Sequence, residues 1–147
     1  MLVLGDAHAS DPERRAALLD AYAATDADYA IQLGDLEYYD LPVPTWFIAG
    51  NNEDQDVIAA LRAGERPAGV RNANLLASEA VTVEGVRIAG LSGNYAPTRF
   101  ERDRADLSGD RRRHFVRAEV DHAAALEDVD VFLTHEAPHG VIETASY

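Results

Sequence analysis

"TWFIAGNNEDQDVIAALRAG", Thr45 to Gly64, contains the parts of an α/β unit in one stretch. The apolar run from Thr45 to Gly50 reads as a buried strand closed by glycine. The segment from Glu53 to Gly64 has an acidic first turn, apolar positions at 57, 58, 60 and 61, and a glycine stop, which predicts a helix. Between them "GNNE" forms a polar loop at the strand end, where an open α/β sheet binds its ligands.

Upstream, "MLVLG" reads as a short apolar strand. Asp11 as N-cap and Pro12 at the first helical position then open a helix with apolar positions 16, 17, 18, 19, 21 and 23. "ADYAIQLGD" is a second buried strand, ending at Gly34, which gives a βαββα order. Downstream of Asn74 the period changes. "LLASEAVTVEGVRIAGLSG" predicts an antiparallel pair turned at Glu84 and Gly85. "TRFERDRADLSGDRRRHF" has no periodicity and reads as a long surface loop, "RAEVDHAAALEDV" as a helix, and "DVFLTHEAPHG" as a strand running into a loop. Parallel units followed by a more antiparallel half predict an α/β fold with two packed sheets, spanning 1–147 as one unit.

The chain has 26 acidic residues and 13 basic ones, all arginine, for a formal net charge of −13. Such a surface repels polyanions at low salt. At 1 M salt the Debye length falls to about 3 Å, and the repulsion is screened. An acid-rich, lysine-free chain therefore suits a halophilic setting. No apolar run approaches the roughly 20 residues that cross a bilayer, so the expectation is a cytoplasmic protein with no membrane partner. Cysteine is absent, which excludes disulfides and thiolate-held zinc, so any metal must be held by His, Asp, Glu or Asn.

Ligand-type residues follow predicted strands four times: Asp6 and His8, then Asp35, then Asn51, then His135. All four sets point to one sheet edge. Two divalent cations about 3.5–4 Å apart, sharing a carboxylate, can clamp and polarise a phosphoryl group and activate a water. Asp35 suits the bridge, with Asp6 and His8 on one ion and Asn51 and His135 on the other. Mixed nitrogen and oxygen donors without thiolate suit Mn²⁺, Fe²⁺ or Zn²⁺.

"GDAH", "LGD", "GNNE" and "LTHEAP", in that order, resemble the motifs DxH, GD, GNH(D/E) and H of the calcineurin-like metallophosphoesterases. "VRIAGLSGNY" and "HFVRAEVDHAAALEDVDVFLTHEAP" are most similar to the lariat-debranching branch. The resemblance implies a two-sheet sandwich flanked by helices (α/β/β/α) and hydrolysis of phosphodiesters, with nucleic acid or a nucleotide as substrate. It also implies a bridging role for Asp35 and metal contacts from Asp6, His8, Asn51 and His135. Three features depart from the pattern. Debranching enzymes often carry Cys where Asp6 stands. The family's GNH histidine is Asn52 here, whose amide can bond a phosphate oxygen but has no acidic proton to give. The terminal GHxH motif does not occur before Tyr147, 12 residues after His135, which implies an incomplete C-terminal end lacking its last strands.

His139 or a second copy of the chain, in a homo-oligomer, are the candidate sources of the missing ligand. Glu53 is expected to orient the metal loop from behind. His114 and Arg111 to Arg113 could touch a phosphate, although a solvated loop whose arginines pair with nearby acids is the simpler reading. Tyr95 and Asn94 offer a stacking edge or core packing, His122 reads as structural, and Trp46 and Phe47 as strand residues. The rival function is a binding or scaffold module that keeps the fold without the chemistry.

Overall fold

The computed structural model describes residues 1–138, so His139 lies outside the described residues. Four strands, β1 (Leu2–Leu4), β2 (Ala30–Gln32), β3 (Asp40–Phe47) and β4 (Arg71–Leu75), form a sheet in that order, every neighbouring pair parallel. A second sheet holds β5 (Ala80–Val83), β6 (Val86–Leu91) and β7 (Val131–Thr134), with β5 antiparallel and β7 parallel to β6. The helices are α1 (Pro12–Ala23), α2 (Gln55–Arg62), the single turn α3 (Pro97–Phe100) and α4 (Arg117–Ala124). The architecture is mixed α/β with two sheets, as the alternating and then antiparallel patterns predict.

Strand alternation sends successive side chains to opposite faces of the first sheet, and each face finds a core. Ala30, Phe47 and Ala73 turn towards Leu18 and Tyr22 of α1 and Ile58 of α2. Ile31, Trp46 and Ile48 turn the other way, onto Val83, Ile88 and Leu133 of the second sheet. Phe47 is fully buried, and burial of a side chain that size contributes about 1.5–3 kcal/mol. The helix α4 packs on β6.

Both longer helices on this sheet start at an aspartate cap, Asp11 as expected and Asp54, which the sequence pattern places inside the helix. The Asp11 carboxylate accepts from the Glu13 and Arg14 N–H groups, and Asp54 does the same for Asp56 and Val57. The β5–β6 turn falls at Glu84 and Gly85, both at positive φ, as a two-residue hairpin of this hand requires.

Three segments depart from expectation. The strand β4, Arg71–Leu75, pairs parallel to β3 where the sequence pattern predicts no strand. The strand β3 starts at Asp40, five residues before the apolar run, and includes Pro42 and Pro44, with irregular pairing to β4 between Asp40 and Thr45. The charged stretch after α3 is not a featureless loop. It holds 3₁₀ turns at Arg104–Asp106 and Gly109–Arg113, organised around one carboxylate. Glu119 accepts from Arg62 at 2.6 Å, from Arg104 at 2.7 and 3.1 Å, and from the Val116 N–H at 2.9 Å. Arg104 also donates to the carbonyls of Arg112 and His114, at 2.7 and 2.6 Å.

Burial alone would raise the Glu119 carboxyl, but the Arg104 hydrogen bond and the charges of Arg62 and Arg104 outweigh it and hold the group below its ordinary value. A depressed carboxyl stabilises the fold above the pKa of the unfolded chain, and this contribution is lost as pH falls through the folded value. Glu119→Gln should therefore lower Tm at neutral pH, with the gap to the unmodified chain closing as thermal scans move below the normal glutamate range. A gap independent of pH would show that the charge of Glu119 does not matter.

Candidate metal centre

The centre lies where the loops after β1, β2, β3 and β7 meet. Beyond the last paired residues of β1 and β2 the two loops stay bonded to each other: Asp6 N–H donates to the Gly34 carbonyl at 3.1 Å, His8 to Asp35 at 2.8 Å and Ala9 to Leu36 at 3.0 Å. Gln32 clamps the turn by bonding both the N–H and the carbonyl of Gly34, each at 2.8 Å. Asp6, His8, Asp35 and Glu37 all adopt positive φ, four of the seven non-glycine residues in the described chain that do so. Each such residue costs on the order of 1 kcal/mol, and strain of this kind collects at functional sites.

The loops approach so closely that side chains are excluded at two positions. A Cβ on Gly50 would stand 2.1 Å from Asp35 Oδ1, and one on Gly34 would stand 2.4 Å from His135 Nδ1. "LGD" and "AGN" are thus packing requirements as well as turns.

Asp6, His8 and Asp35 each bring one ligand-type atom within 4.8 Å of the others. Asp35 is buried and central. Its Oδ2 lies 3.6 Å from His8 Nε2, and its Oδ1 lies 3.7 Å from His135 Nε2. Asn51 Oδ1 is 3.0 Å from the same His135 Nε2. Asp6 is largely exposed, with Oδ1 4.0 Å from His135 Nδ1. All five sequence-predicted ligands therefore share one site.

The imidazole tautomers follow from their second nitrogens. His8 Nδ1 stands 2.6 Å from Glu37 Oε1, and His135 Nδ1 stands 2.9 Å from the Leu33 carbonyl. Both partners only accept, so both Nδ1 atoms donate, and each ring turns its Nε2 toward the centre. His135 Nε2 lies within hydrogen-bond distance of Asn51 Oδ1 and also faces Asp35 Oδ1, and His8 Nε2 faces Asp35 Oδ2. Two donors each about 2.1 Å from one ion stand roughly 3.0–3.4 Å apart. The His135–Asn51 separation of 3.0 Å falls in that range, the two Asp35–histidine separations of 3.6 and 3.7 Å lie a few tenths of an ångström beyond it, and the acceptors on Nδ1 are the supports that metal-binding histidines normally have.

Asn52 donates to Asp35 twice, from its N–H to Oδ1 at 2.8 Å and from Nδ2 to Oδ2 at 2.9 Å. Its donors serve to orient that carboxylate. Glu53 is buried behind the loops. It accepts from the N–H groups of Leu36 and Glu37 at 3.0 Å each, from Tyr39 Oη at 2.5 Å and from Gly50 N–H at 3.4 Å. Burial pushes its carboxyl above the ordinary value, against these donated bonds. Burial and the neighbouring Glu53 charge push the Tyr39 hydroxyl far above its own, so Tyr39 keeps its proton and donates it.

The other candidates separate. A cavity of about 530 Å³ opens beside the centre, lined by Asn51, Asn52, Glu37, Ser10, Asp110 and Arg113 among others. Arg112 pairs with Asp56 at 2.9 Å, as the solvated-loop reading expects. His114 bridges to Asn94 away from the ligands, and burial lowers its imidazole pKa. Tyr95 packs with Phe100 and Phe115 at the edge of an apolar cavity of about 490 Å³ that reaches His135. His122 is exposed on α4. Sequence reasoning missed Glu37 and Tyr39. "GDLEYY" places acid and phenol two and four residues after Asp35, but only the left-handed turns at Asp35 and Glu37 bring them round. Comparison with protein-family models and with curated proteins finds no match to this chain.

Proposed function

We propose that this protein is a metal-dependent phosphoesterase of calcineurin-like architecture, nearest the lariat-debranching branch, that hydrolyses phosphodiesters of a nucleic acid or nucleotide. One observation carries the reading: a buried carboxylate, Asp35, directs one oxygen to each of two imidazole nitrogens that are turned inward by the bonds their Nδ1 atoms make. Two divalent ions, Mn²⁺, Fe²⁺ or Zn²⁺, would be held by Asp6, His8, Asp35, Asn51 and His135, and would supply Lewis acidity and an activated water. Asp35 lies between the two ligand groups. Glu37 and the Leu33 carbonyl keep His8 and His135 in the ligating tautomer, and Asn52 fixes the plane of Asp35. Asn52 has no acidic proton, so the leaving oxygen takes its proton from solvent, and esters of acidic alcohols are the best substrates. No helix among the described residues is long and apolar enough to cross a membrane, and the acidic, lysine-free composition suits a cytosol rich in salt.

The test is p-nitrophenolate release from bis(p-nitrophenyl) phosphate in concentrated salt. Turnover that requires added Mn²⁺ and stops with chelator is expected. A folded, Mn²⁺-loaded sample without turnover removes the enzyme reading and leaves the scaffold.

A further inference from the structure

Arg62, Arg71, Arg104, Arg112 and Arg117 each pair with a carboxylate. The other eight arginines, Arg113 among them, have no such partner among the described residues, and of these eight Arg113 is the one that lines the cavity beside the metal loop. It is exposed and lines the cavity that opens on Asn51 and Asn52.

Its place there is built from the backbone. The carbonyls of three successive residues are tied down: Arg112 and His114 accept from Arg104 at 2.7 and 2.6 Å, and Arg113 accepts from the Asn94 N–H at 3.1 Å. Phe115 N–H returns to the Asn94 carbonyl at 3.2 Å, and Gly93 N–H donates to the Ala49 carbonyl at 2.7 Å, one residue before Gly50. A chain of main-chain bonds therefore runs from the metal loop after β3, through the loop after β6, to Arg113. None of these bonds uses the Arg113 side chain.

A phosphodiester drawn to the centre brings non-bridging oxygens that carry its charge. Asn52 spends its backbone N–H and one of the two N–H bonds of its side-chain amide on Asp35, so one amide hydrogen is left for a substrate oxygen. The other charged groups lining that cavity are Glu37, Glu53, Asp54 and Asp110, all of which repel an anion.

We propose that Arg113 is the phosphate-binding cation of this site, its guanidinium reaching across the cavity to the non-bridging oxygens of a phosphodiester held at Asp35 and Asn51. The inference rests on the phosphoesterase reading. A guanidinium presents paired N–H groups that match two phosphate oxygens, a geometry that lysine lacks.

The probe is inorganic phosphate, titrated by calorimetry into Mn²⁺-loaded protein in concentrated salt, with Mn²⁺ uptake followed separately by electron paramagnetic resonance. Arg113→Ala should weaken phosphate binding about 10- to 100-fold with Mn²⁺ uptake unchanged, since a hydrogen bond between charged groups is lost. Arg113→Lys should restore part of the affinity. Arg111→Ala removes the same charge from the same 3₁₀ turn, outside the cavity, and should bind phosphate like the unmodified chain. Equal phosphate affinity in Arg113→Ala and the unmodified chain would overturn the proposal, as would an equal loss in Arg111→Ala. Failure of the unmodified chain to take up Mn²⁺ would overturn the metal reading beneath it, and the role of Arg113 with it.

Discussion

Asp35→Asn is expected to reduce Mn²⁺-dependent phosphodiester turnover by about 10³-fold, a loss of roughly 4 kcal/mol of transition-state stabilisation. Among the described residues the carboxylate faces both imidazoles, with Oδ2 3.6 Å from His8 Nε2 and Oδ1 3.7 Å from His135 Nε2. An amide keeps the shape, but it removes the negative charge and turns one of the two ligating atoms into a donor. The new NH₂ group forfeits one of the two hydrogen bonds that Asp35 accepts from Asn52, a local loss, so the fold should survive and circular dichroism should match that of the unmodified chain. Mn²⁺ uptake should fall with turnover. His122→Ala, on the exposed face of α4, should change neither. Turnover of Asp35→Asn within tenfold of the unmodified chain would remove Asp35 from the role of bridge.

The residues that hold this site differ in how they could be read from sequence. Asp6, His8, Asp35, Asn51 and His135 each follow an apolar run, and parallel strands carry their ends to one edge, so local pattern alone brings these five candidates together. The helix start at Asp11 is legible for the same reason, because a cap acts within three residues. The strand β4 is not. "RNANL" buries only Ala73 completely, and Asn72 and Asn74 spend their amides on the carbonyls of Leu41 and Thr45 in β3, so the strand shows no apolar alternation. Pro42 and Pro44 hide the first half of β3, since proline usually argues against an interior strand. The charged stretch fails differently. Its order comes from Glu119, 15 residues after Arg104 and 57 after Arg62, a distance at which sequence periodicity carries no signal. Glu37 is invisible for a related reason: its contact with His8 depends on backbone turns at two positions, not on spacing.

Glu53→Ala is expected to destabilise the protein by about 3–4 kcal/mol, near the upper end for single substitutions, lowering Tm by roughly 10 °C. The carboxylate is the common acceptor for the loop after β2, through Leu36 and Glu37, for the loop after β3, through Gly50, and for the Tyr39 hydroxyl. Truncation leaves these donors without a partner, and each buried orphan costs about 1–3 kcal/mol before the loops relax. Because Glu37 also orients His8, Mn²⁺ affinity should fall about 10- to 100-fold, the usual effect of losing a ligand's support. The sign of the pH dependence separates charge from shape. Burial raises the Glu53 carboxyl, so the folded chain holds that proton more tightly than the unfolded one. The stability linked to it is present below the unfolded value and is lost as pH rises through the folded value. Acidification into the carboxylate range should therefore favour the unmodified chain over Glu53→Gln, while at neutral pH Glu53→Gln should cost less than Glu53→Ala because its amide oxygen still accepts. A fall in Tm of less than about 3 °C for Glu53→Ala would mean that the two loops hold their positions without this carboxylate.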